Sequence, residues 1–231
     1  MLKFLKKIFT RVQASPAPQL IAAQLRKPSG VFAKQVGKRM NESNRLLYEL
    51  VLQHLDVQAG NQVLEIGFGN GKFFKDVLLK AEQLKLYGLD FSEQMAQEAR
   101  KNNTDLIQKG VLDVQMGSSE KLPYNAEMFD AVFCINVIYF WESPATHLQE
   151  IRRVLKPGGK FYIGVRPKSV LEKLPFAEHG FHLRDTPEIE AMLQQNGFSL
   201  LNTHQQTEPP VTMYGATYDM QGMCMVFEKK A

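Results

Sequence analysis

The hydrophobic positions follow two spacings along the chain, and the changes between them predict strands that alternate with helices. Apolar runs typical of buried parallel strands lie at residues 62–66, 84–89, 111–116, 130–135 and 161–165. Between them, apolar residues recur at helical spacing at residues 71–83, from Ser92 onward, and at 143–155. Two further strands are expected at 199–206 and 223–228, and a helix at 41–55 precedes the first strand. This alternation predicts a doubly wound α/β fold.

The amino-acid composition defines the class of protein only broadly. Hydrophobic residues make up 44% of the 231-residue chain and charged residues 23%, as in an ordinary globular protein. No apolar run reaches the roughly 18 residues that a membrane-spanning helix needs. The two cysteines, Cys134 and Cys224, show no metal-ligand spacing, so we predict no metal site and a reducing, cytoplasmic location.

The positive charge is concentrated at the beginning of the chain. Residues 1–45 contain ten Lys and Arg residues and one acid, a balance of +9, while the remaining 18 bases and 23 acids give −5. We therefore predict a basic N-terminal extension at residues 1–40 and a separate folded domain at 41–231. A basic segment of this kind suits an anionic membrane surface or an anionic group of a substrate.

Within this extension, residues 1–13 have an amphipathic pattern. Leu2, Leu5 and Phe9 follow helical spacing, and lysines occupy the other side. Three interpretations remain open: a helix that lies on a membrane, a mitochondrial transit segment, and a helix that is solvated or packed on the domain. The protein is accordingly expected in the cytoplasm, with or without peripheral membrane contact.

The most informative stretch follows the first predicted strand. Gly67, Gly69 and Gly71 occupy alternate positions between the strand and a helix. Because glycine has no Cβ, such a turn lets a ligand approach the backbone closely, and ligands of doubly wound folds bind at the carboxyl ends of the strands. Glu65, two residues before the first glycine, favours a cationic ligand over a pyrophosphate. Lys72 stands where the dinucleotide-binding fingerprint has its third glycine.

This stretch resembles the first motif of the class I S-adenosylmethionine-dependent methyltransferases, E/D-x-G-x-G-x-G, and further segments resemble the type 11 small-molecule branch. Asp90-Phe91-Ser92-Glu93-Gln94-Met95 is similar to the D-x-S-x-x-M segment, whose acid binds the cofactor ribose. Glu150 to Gly159, which ends in Leu-Lys-Pro-Gly-Gly, is similar to the segment before strand five. The family fold implies a Rossmann-like, mostly parallel sheet of seven strands with an antiparallel last strand and helices on both faces.

The resemblance also implies where S-adenosylmethionine binds. Where the family commonly has Gly-Asp-Ala after strand three, this chain has Gly-Ser-Ser, so a serine replaces the acid expected to bind the adenine amino group. The implied cofactor-binding residues are Glu65, Gly67, Phe68, Gly69, Gly71, Asp90, Phe91, Met95, Ser118, Ser119 and Asn136.

The methyl acceptor is expected beside the end of strand four. The Asn/Asp-Pro-Pro-Tyr/Phe motif of many nucleic-acid and protein methyltransferases is absent, because Val137 and Ile138 follow Asn136. The aromatic residues Tyr139, Phe140 and Trp141 suit a small apolar, even lipid-like, acceptor instead of a nucleic acid. No catalytic base can be assigned from the sequence.

Two functions other than methyl transfer are compatible with this fold. A membrane-associated protein could retain the fold and bind the cofactor without turnover. A nucleotide-linked oxidoreductase could use the same scaffold, although the glycine spacing and Lys72 disfavour it.

Overall fold

The computed structural model describes residues 17–213 and 215–230, so the amphipathic segment predicted at 1–13 lies outside the described residues. The described strands are β1 (Gln62–Ile66), β2 (Lys85–Asp90), β3 (Leu112–Met116), β4 (Phe129–Ile135), β5 (Leu155–Val165), β6 (Phe198–Met213) and β7 (Ala216–Lys229). The described helices are α1 (Pro18–Arg26), α2 (Ala33–His54), α3 (Phe74–Leu78), α4 (Glu93–Asn102), α5 (Thr104–Gln108), α6 (Pro144–Val154), α7 (Lys168–Leu171) and α8 (Thr186–Gln195). Short 3-10 turns lie at Gly30–Phe32, Ile138–Phe140 and Pro175–Glu178.

The described strands form one sheet in the order β3-β2-β1-β4-β5-β7-β6. Strands β1 to β5 pair in parallel, and β7 runs antiparallel to both β5 and β6. The predicted fold class, a mostly parallel seven-stranded sheet with an antiparallel last strand, is confirmed. The order reverses between β1 and β4, and in such sheets the crevice at this reversal is where ligands bind.

Helices cover both faces of the sheet because successive strand residues point to opposite sides. On β1, Val63 packs in the same hydrophobic cluster as Leu47 of α2, whereas Leu64 packs in the cluster that contains Leu148 of α6. All four side chains are buried. An apolar strand with both faces covered is the expected interior strand of an α/β sheet.

Two helices differ from the sequence prediction. The helix after the glycine turn is limited to Phe74–Leu78 instead of residues 71–83. Beyond it the chain bends, and Gln83 has a φ of +52°, which an α-helix does not allow. The helix predicted at 41–55 begins earlier, at Ala33.

The longer α2 helix crosses the predicted boundary between residues 40 and 41. Buried residues lie on both sides of this boundary: Ala33 and Gly37 before it, and Leu47 and Val51 after it. The division of the chain into an extension and a catalytic domain stays a prediction.

The last two strands extend well beyond their predicted bounds. Val165, the last residue of β5, pairs with Met223, and the pairing of β6 with β7 continues from there through Glu208 and Met220 to Met213 and Ala216. The hairpin therefore projects past the carboxyl edge of the sheet and forms one side of the cleft described below.

Among the described residues, no helix combines the length and apolar character needed to cross a membrane.

Candidate functional site

A cleft of about 790 Å³ opens at the carboxyl ends of the parallel strands. This volume lies within the range of small-molecule and cofactor sites. The loops after β1, β2 and β3 form one half of its wall, which we call the cofactor half. The loops after β4 and β5, the β6–β7 hairpin and α1 form the other, which we call the acceptor half.

The glycine turn forms the floor of the cofactor half. Gly67 has a φ of +78°, and a Cβ at this position would lie 2.4 Å from a methyl carbon of Val137. Gly69 has a φ of +59°, and a Cβ there would project into open space with no atom within 4 Å. The turn thus needs glycine for its conformation and leaves room for a ligand directly above Gly69.

Asp90 lies at the tip of β2 and is buried at the cleft wall. Its Oδ2 accepts a hydrogen bond from the Gly69 amide at 2.9 Å, and its Oδ1 accepts one from the Ser92 amide at 2.8 Å. Burial raises the pKa of this carboxyl group to about 6, although both amide bonds favour the charged form. Remaining lone pairs can accept hydrogen bonds from the hydroxyls of a bound ligand.

Glu65 lies at the end of β1, behind the cleft wall that Tyr48 of α2 helps to form. The Tyr48 hydroxyl donates a hydrogen bond to Glu65 Oε1, and Oε2 is buried without a partner among the described residues. Burial is the largest cause that raises the pKa of Glu65, to about 8. A buried carboxyl group with an unsatisfied oxygen is suited to a cationic group, whose arrival would favour the ionised form.

The other residues implied in cofactor binding fall into two groups. Phe68, Phe91, Met95, Ser118, Ser119 and Asn136 line the cleft. Gly71 instead packs against the core, where a Cβ would lie 2.6 Å from Phe74 and 2.9 Å from Ala99. Its φ of +68° and its close packing against α3 and α4 both require glycine.

Next to the cofactor half, Phe91 is partly exposed and Lys27 places its ammonium 5.4 Å from the centre of the ring. Ser92 caps α4 by accepting a hydrogen bond from the Met95 amide. The same hydroxyl donates to the Pro28 carbonyl at 2.8 Å. These contacts hold the segment between α1 and α2 against the loop after β2.

The two serines after β3 have different surroundings. Ser118 is exposed, and its hydroxyl lies 3.2 Å from a carboxylate oxygen of Glu120. Ser119 is buried, with its hydroxyl 2.7 Å from Nδ1 of His147. His147 stacks on Trp141, and burial lowers its pKa. Ser118 and Glu120, unlike Ser119, therefore keep exposed polar atoms at this end of the cleft.

Asn136 follows β4 and has a φ of +57°, a conformation that asparagine tolerates better than most residues. Its side-chain nitrogen Nδ2 donates a hydrogen bond to Asn44 Oδ1 of α2 at 3.0 Å. Its side-chain oxygen Oδ1 accepts one from the Tyr139 hydroxyl at 3.2 Å. The turn at the end of β4 is thus joined to the helix that covers it.

The acceptor half is mainly apolar. Its aliphatic and aromatic walls include Leu25, Phe140, Leu171, Phe176, Phe181 and Met213. Arg166, directly after β5, pairs with Glu208 of β6 at 2.9 Å, and both side chains are buried. Among residues 17–213 and 215–230, no group of three or more His, Cys, Asp or Glu side chains is arranged to hold a metal ion.

Sequence reasoning missed the contributions of Asn44, Tyr48, Arg166 and Glu208 to this site. Tyr48 and Asn44 belong to a helix whose pattern shows which side is apolar but not which part of the sheet it covers. Glu208 lies beyond the predicted end of strand six. These four residues meet only through contacts between distant segments.

Comparisons with known proteins agree with this geometry. A family model described as a methyltransferase domain matches residues 64–163. The chain is 33% identical to the methyltransferase YdaC of Bacillus subtilis over 132 residues, which cover 57% of this chain and 71% of the relative. It is 30% identical to the tRNA U34 carboxymethyltransferase of Campylobacter curvus, over 55% of this chain and 45% of the relative.

Solved structures support the fold. A chain from the complex of the Haloferax volcanii Trm112 methyltransferase activator with a methyltransferase superposes with a TM-score of 0.72 and 20% identity. The match covers 95% of this chain and 100% of that one. At this identity the likeness concerns the fold alone.

The cleft fits S-adenosylmethionine in three respects: a buried carboxyl group suited to a cation, an acid at the tip of β2, and open space above Gly69. This fit and the relatives decide against the oxidoreductase alternative. The chain belongs to the class I S-adenosylmethionine-dependent methyltransferases.

Proposed function

We propose that this methyltransferase acts on a small, mainly apolar molecule. The observation that carries the proposal is the aliphatic and aromatic lining of the acceptor half, formed by residues such as Leu171, Phe176 and Phe181. A site of this composition gains free energy by removing apolar surface from water. It offers little to a polyanion, whose binding depends on Lys and Arg side chains that contact phosphates.

We further propose roles for the residues of the cofactor half. Glu65 would favour the ammonium of the cofactor, Asp90 would accept from the ribose hydroxyls, and Gly67 and Gly69 would let the backbone approach. Phe91 and Met95 would pack against the adenine, with Phe68 and Asn136 beside the cofactor. Ser118 and Ser119 would lie near the adenine edge, and Gly71 would act through packing.

The cofactor supplies an activated methyl group on its sulfonium. The protein's part is to hold both reactants close and in line, and to keep water out. The α2 helix serves this purpose, because Tyr48 and Asn44 cover the ends of β1 and β4. We assign no catalytic base.

An RNA acceptor is a second candidate, because one relative is named a tRNA-modifying enzyme. The apolar acceptor half favours a small molecule over RNA. The two candidates differ in the fraction of a cell extract that would receive the methyl group.

We also propose that the enzyme touches an anionic membrane near the mouth of the cleft. In the turn between α1 and α2, Val31 is 91% exposed and Phe32 is 64% exposed. Lys27, Lys34 and Lys38 are exposed nearby in the chain, and residues 17–41 contain five Lys and Arg residues and no acid. Exposed apolar side chains flanked by lysines are typical of membrane-surface contacts. The amphipathic residues 1–13 would add to this contact.

We expect the purified enzyme to transfer labelled methyl groups from S-adenosylmethionine to the apolar small-molecule fraction of a cell extract. The fractions to compare are apolar small molecules, RNA and protein, each counted after separation. A Gly69→Val variant is the control for transfer that does not depend on the enzyme. Label confined to RNA would contradict the small-molecule proposal, and no transfer to any fraction would favour a cofactor-binding protein without turnover.

Gly69→Val should weaken S-adenosylhomocysteine binding by at least about tenfold, or about 1.4 kcal/mol, because its side chain would fill the open space above the turn. Gly60→Val is the matched control: Gly60 also has a positive φ, +78°, with open space at its Cβ, but does not line the cleft. Both variants should lose comparable thermal stability, since each places a side chain on a left-handed residue. Equal calorimetric affinities of the two variants would contradict the prediction.

S-adenosylhomocysteine binding should strengthen as the pH rises from 6 towards 8, by roughly tenfold per pH unit at the lower end. The pKa of Glu65 is raised to about 8 in the free protein, so at pH 7 this group holds a proton that the ligand ammonium must displace. Calorimetry in buffers of different ionisation enthalpy should show close to one proton released at pH 7. In Glu65→Gln the increase in affinity between pH 7 and pH 8 and this proton release should disappear, since Asp90, whose pKa is about 6, contributes to the pH dependence only near pH 6. If Glu65→Gln kept the pH dependence of affinity seen in the wild type, a group other than Glu65 would be responsible for it.

The double variant Val31→Ser/Phe32→Ser should partition at least about tenfold less onto vesicles of phosphatidylcholine with 30% phosphatidylglycerol, because two exposed apolar side chains are lost. Leu79→Ser is the control, since Leu79 is 84% exposed but lies after α3. Deleting residues 1–13 in a separate variant measures the contribution of that segment. Salt should weaken binding of the full-length protein. Equal sedimentation of the wild type and the double variant would contradict this surface.

A further inference from the structure

We infer that the methyl acceptor carries no net charge and that the Arg166–Glu208 pair enforces this preference. The inference rests on the proposed function, because it concerns the acceptor half of the same cleft. It adds the charge class of the substrate and the residues that select it.

The Arg166–Glu208 pair is buried, and its two opposite charges are in direct contact. Arg166 Nη1 donates to Glu208 Oε2 at 2.9 Å, and the two side chains are only 7% and 5% exposed. Arg166 also donates to the backbone carbonyls of Gln221 at 3.3 Å and Ser43 at 2.8 Å. The guanidinium is therefore committed to three protein oxygens and is not a free cation in the cleft.

A second pair neutralises the charges at the outer end of this half. Arg26 of α1 and Glu142 lie 3.2 Å apart, are more exposed than the inner pair, and also line the cleft. The other acids that line it, Asp90 and Glu120, follow β2 and β3 on the cofactor side. Among the described residues of the acceptor half, each charged side chain that lines the cleft thus has a partner of opposite charge.

An acceptor with a charge would meet a penalty at this site. A carboxylate or phosphate would either leave its own charge unpaired in an apolar pocket or separate Arg166 from Glu208, which leaves the glutamate unpaired. A cationic acceptor would lie beside Arg166, whose positive charge already compensates Glu208, so the charge of the acceptor would stay unpaired. Rejection of this kind, in which the wrong ligand is penalised, is a common source of specificity.

A neutral acceptor with one hydrogen-bond donor meets no such penalty. Glu208 Oε1 has no hydrogen-bond partner among the described residues and lies against Gly222, where an added Cβ would be 2.8 Å away. A hydroxyl group approaching from the cleft is compatible with the pair as it stands.

A pair that only braces the fold would have no effect on the charge of the bound molecule. The two roles can be separated, because removing the charge of Glu208 alone would leave Arg166 as a free cation facing the cleft. Glu208→Gln should then turn a site that rejects anions into one that binds them.

The experiment uses the full-length protein saturated with S-adenosylhomocysteine, and calorimetry with 2-naphthol, 2-naphthoate and 2-naphthylmethylammonium at pH 7. These probes share an aromatic body and differ in charge. The wild type should bind 2-naphthol at least about tenfold more tightly than either charged probe. In Glu208→Gln the affinity for 2-naphthoate should rise at least about tenfold, while Glu49→Gln, from the exposed Arg45–Glu49 pair of α2, should behave as the wild type.

Wild-type protein that binds a charged probe as tightly as 2-naphthol would overturn the inference. A folded Glu208→Gln variant with normal S-adenosylhomocysteine affinity but no gain for 2-naphthoate would also overturn it. If Glu208→Gln does not fold, Arg166→Gln removes the other charge and leaves Glu208 without an opposite charge; its affinity for 2-naphthylmethylammonium should rise at least about tenfold, and a folded variant without that gain would overturn the inference. Failure of the wild type to bind S-adenosylhomocysteine would contradict the cofactor assignment instead, and failure to bind any probe would contradict the apolar acceptor half.

Discussion

The site depends most on the buried guanidinium of Arg166. It joins three parts of the chain that are far apart in sequence: α2 through the Ser43 carbonyl, the end of β5 where it is anchored, and the β6–β7 hairpin through Glu208 and Gln221. Its backbone also bonds to the Tyr139 hydroxyl, which lies beside Asn136 at the end of β4. Arginine suits this position because its planar fork of donors can satisfy several fixed oxygens at once. Losing one partner of such a buried pair typically costs about 3–5 kcal/mol.

The position of α2 explains why the acids of the cofactor half have raised pKa values. The helix lies across the carboxyl ends of the strands, so that Tyr48 covers Glu65 and Asn44 meets Asn136. Excluding water raises the pKa values of Glu65 and Asp90, because charged carboxylates lose their hydration. The same covering therefore keeps two carboxyl groups with raised pKa values beside the cleft, which is the environment that our proposed cofactor roles require.

The two halves of the cleft differ in how their charged side chains are compensated. The cofactor half keeps acids that lack opposite charges nearby, which suits a ligand with an ammonium and a sulfonium. The acceptor half pairs its charges and surrounds them with hydrocarbon. This difference agrees with the proposed binding of a cation at one end and an apolar molecule at the other. In the described part of the chain, Lys34 and Lys38 are exposed near the turn that carries Val31 and Phe32.

The fold class and the first part of the site could be predicted from the sequence. The periodicity of apolar residues identified β1 to β4 closely, but it predicted β5 only from residue 161, whereas the strand begins at Leu155. The glycine turn and Asp90 were recognisable because local backbone geometry and strand ends are encoded over a few residues. The packing around Gly71, the short α3, and the places of Asn44, Tyr48, Arg166 and Glu208 at the site became visible only in the folded chain. The reason is physical: these contacts join segments up to 123 residues apart, as between Arg166 and Ser43, and burial and ion pairing arise only when the chain has folded.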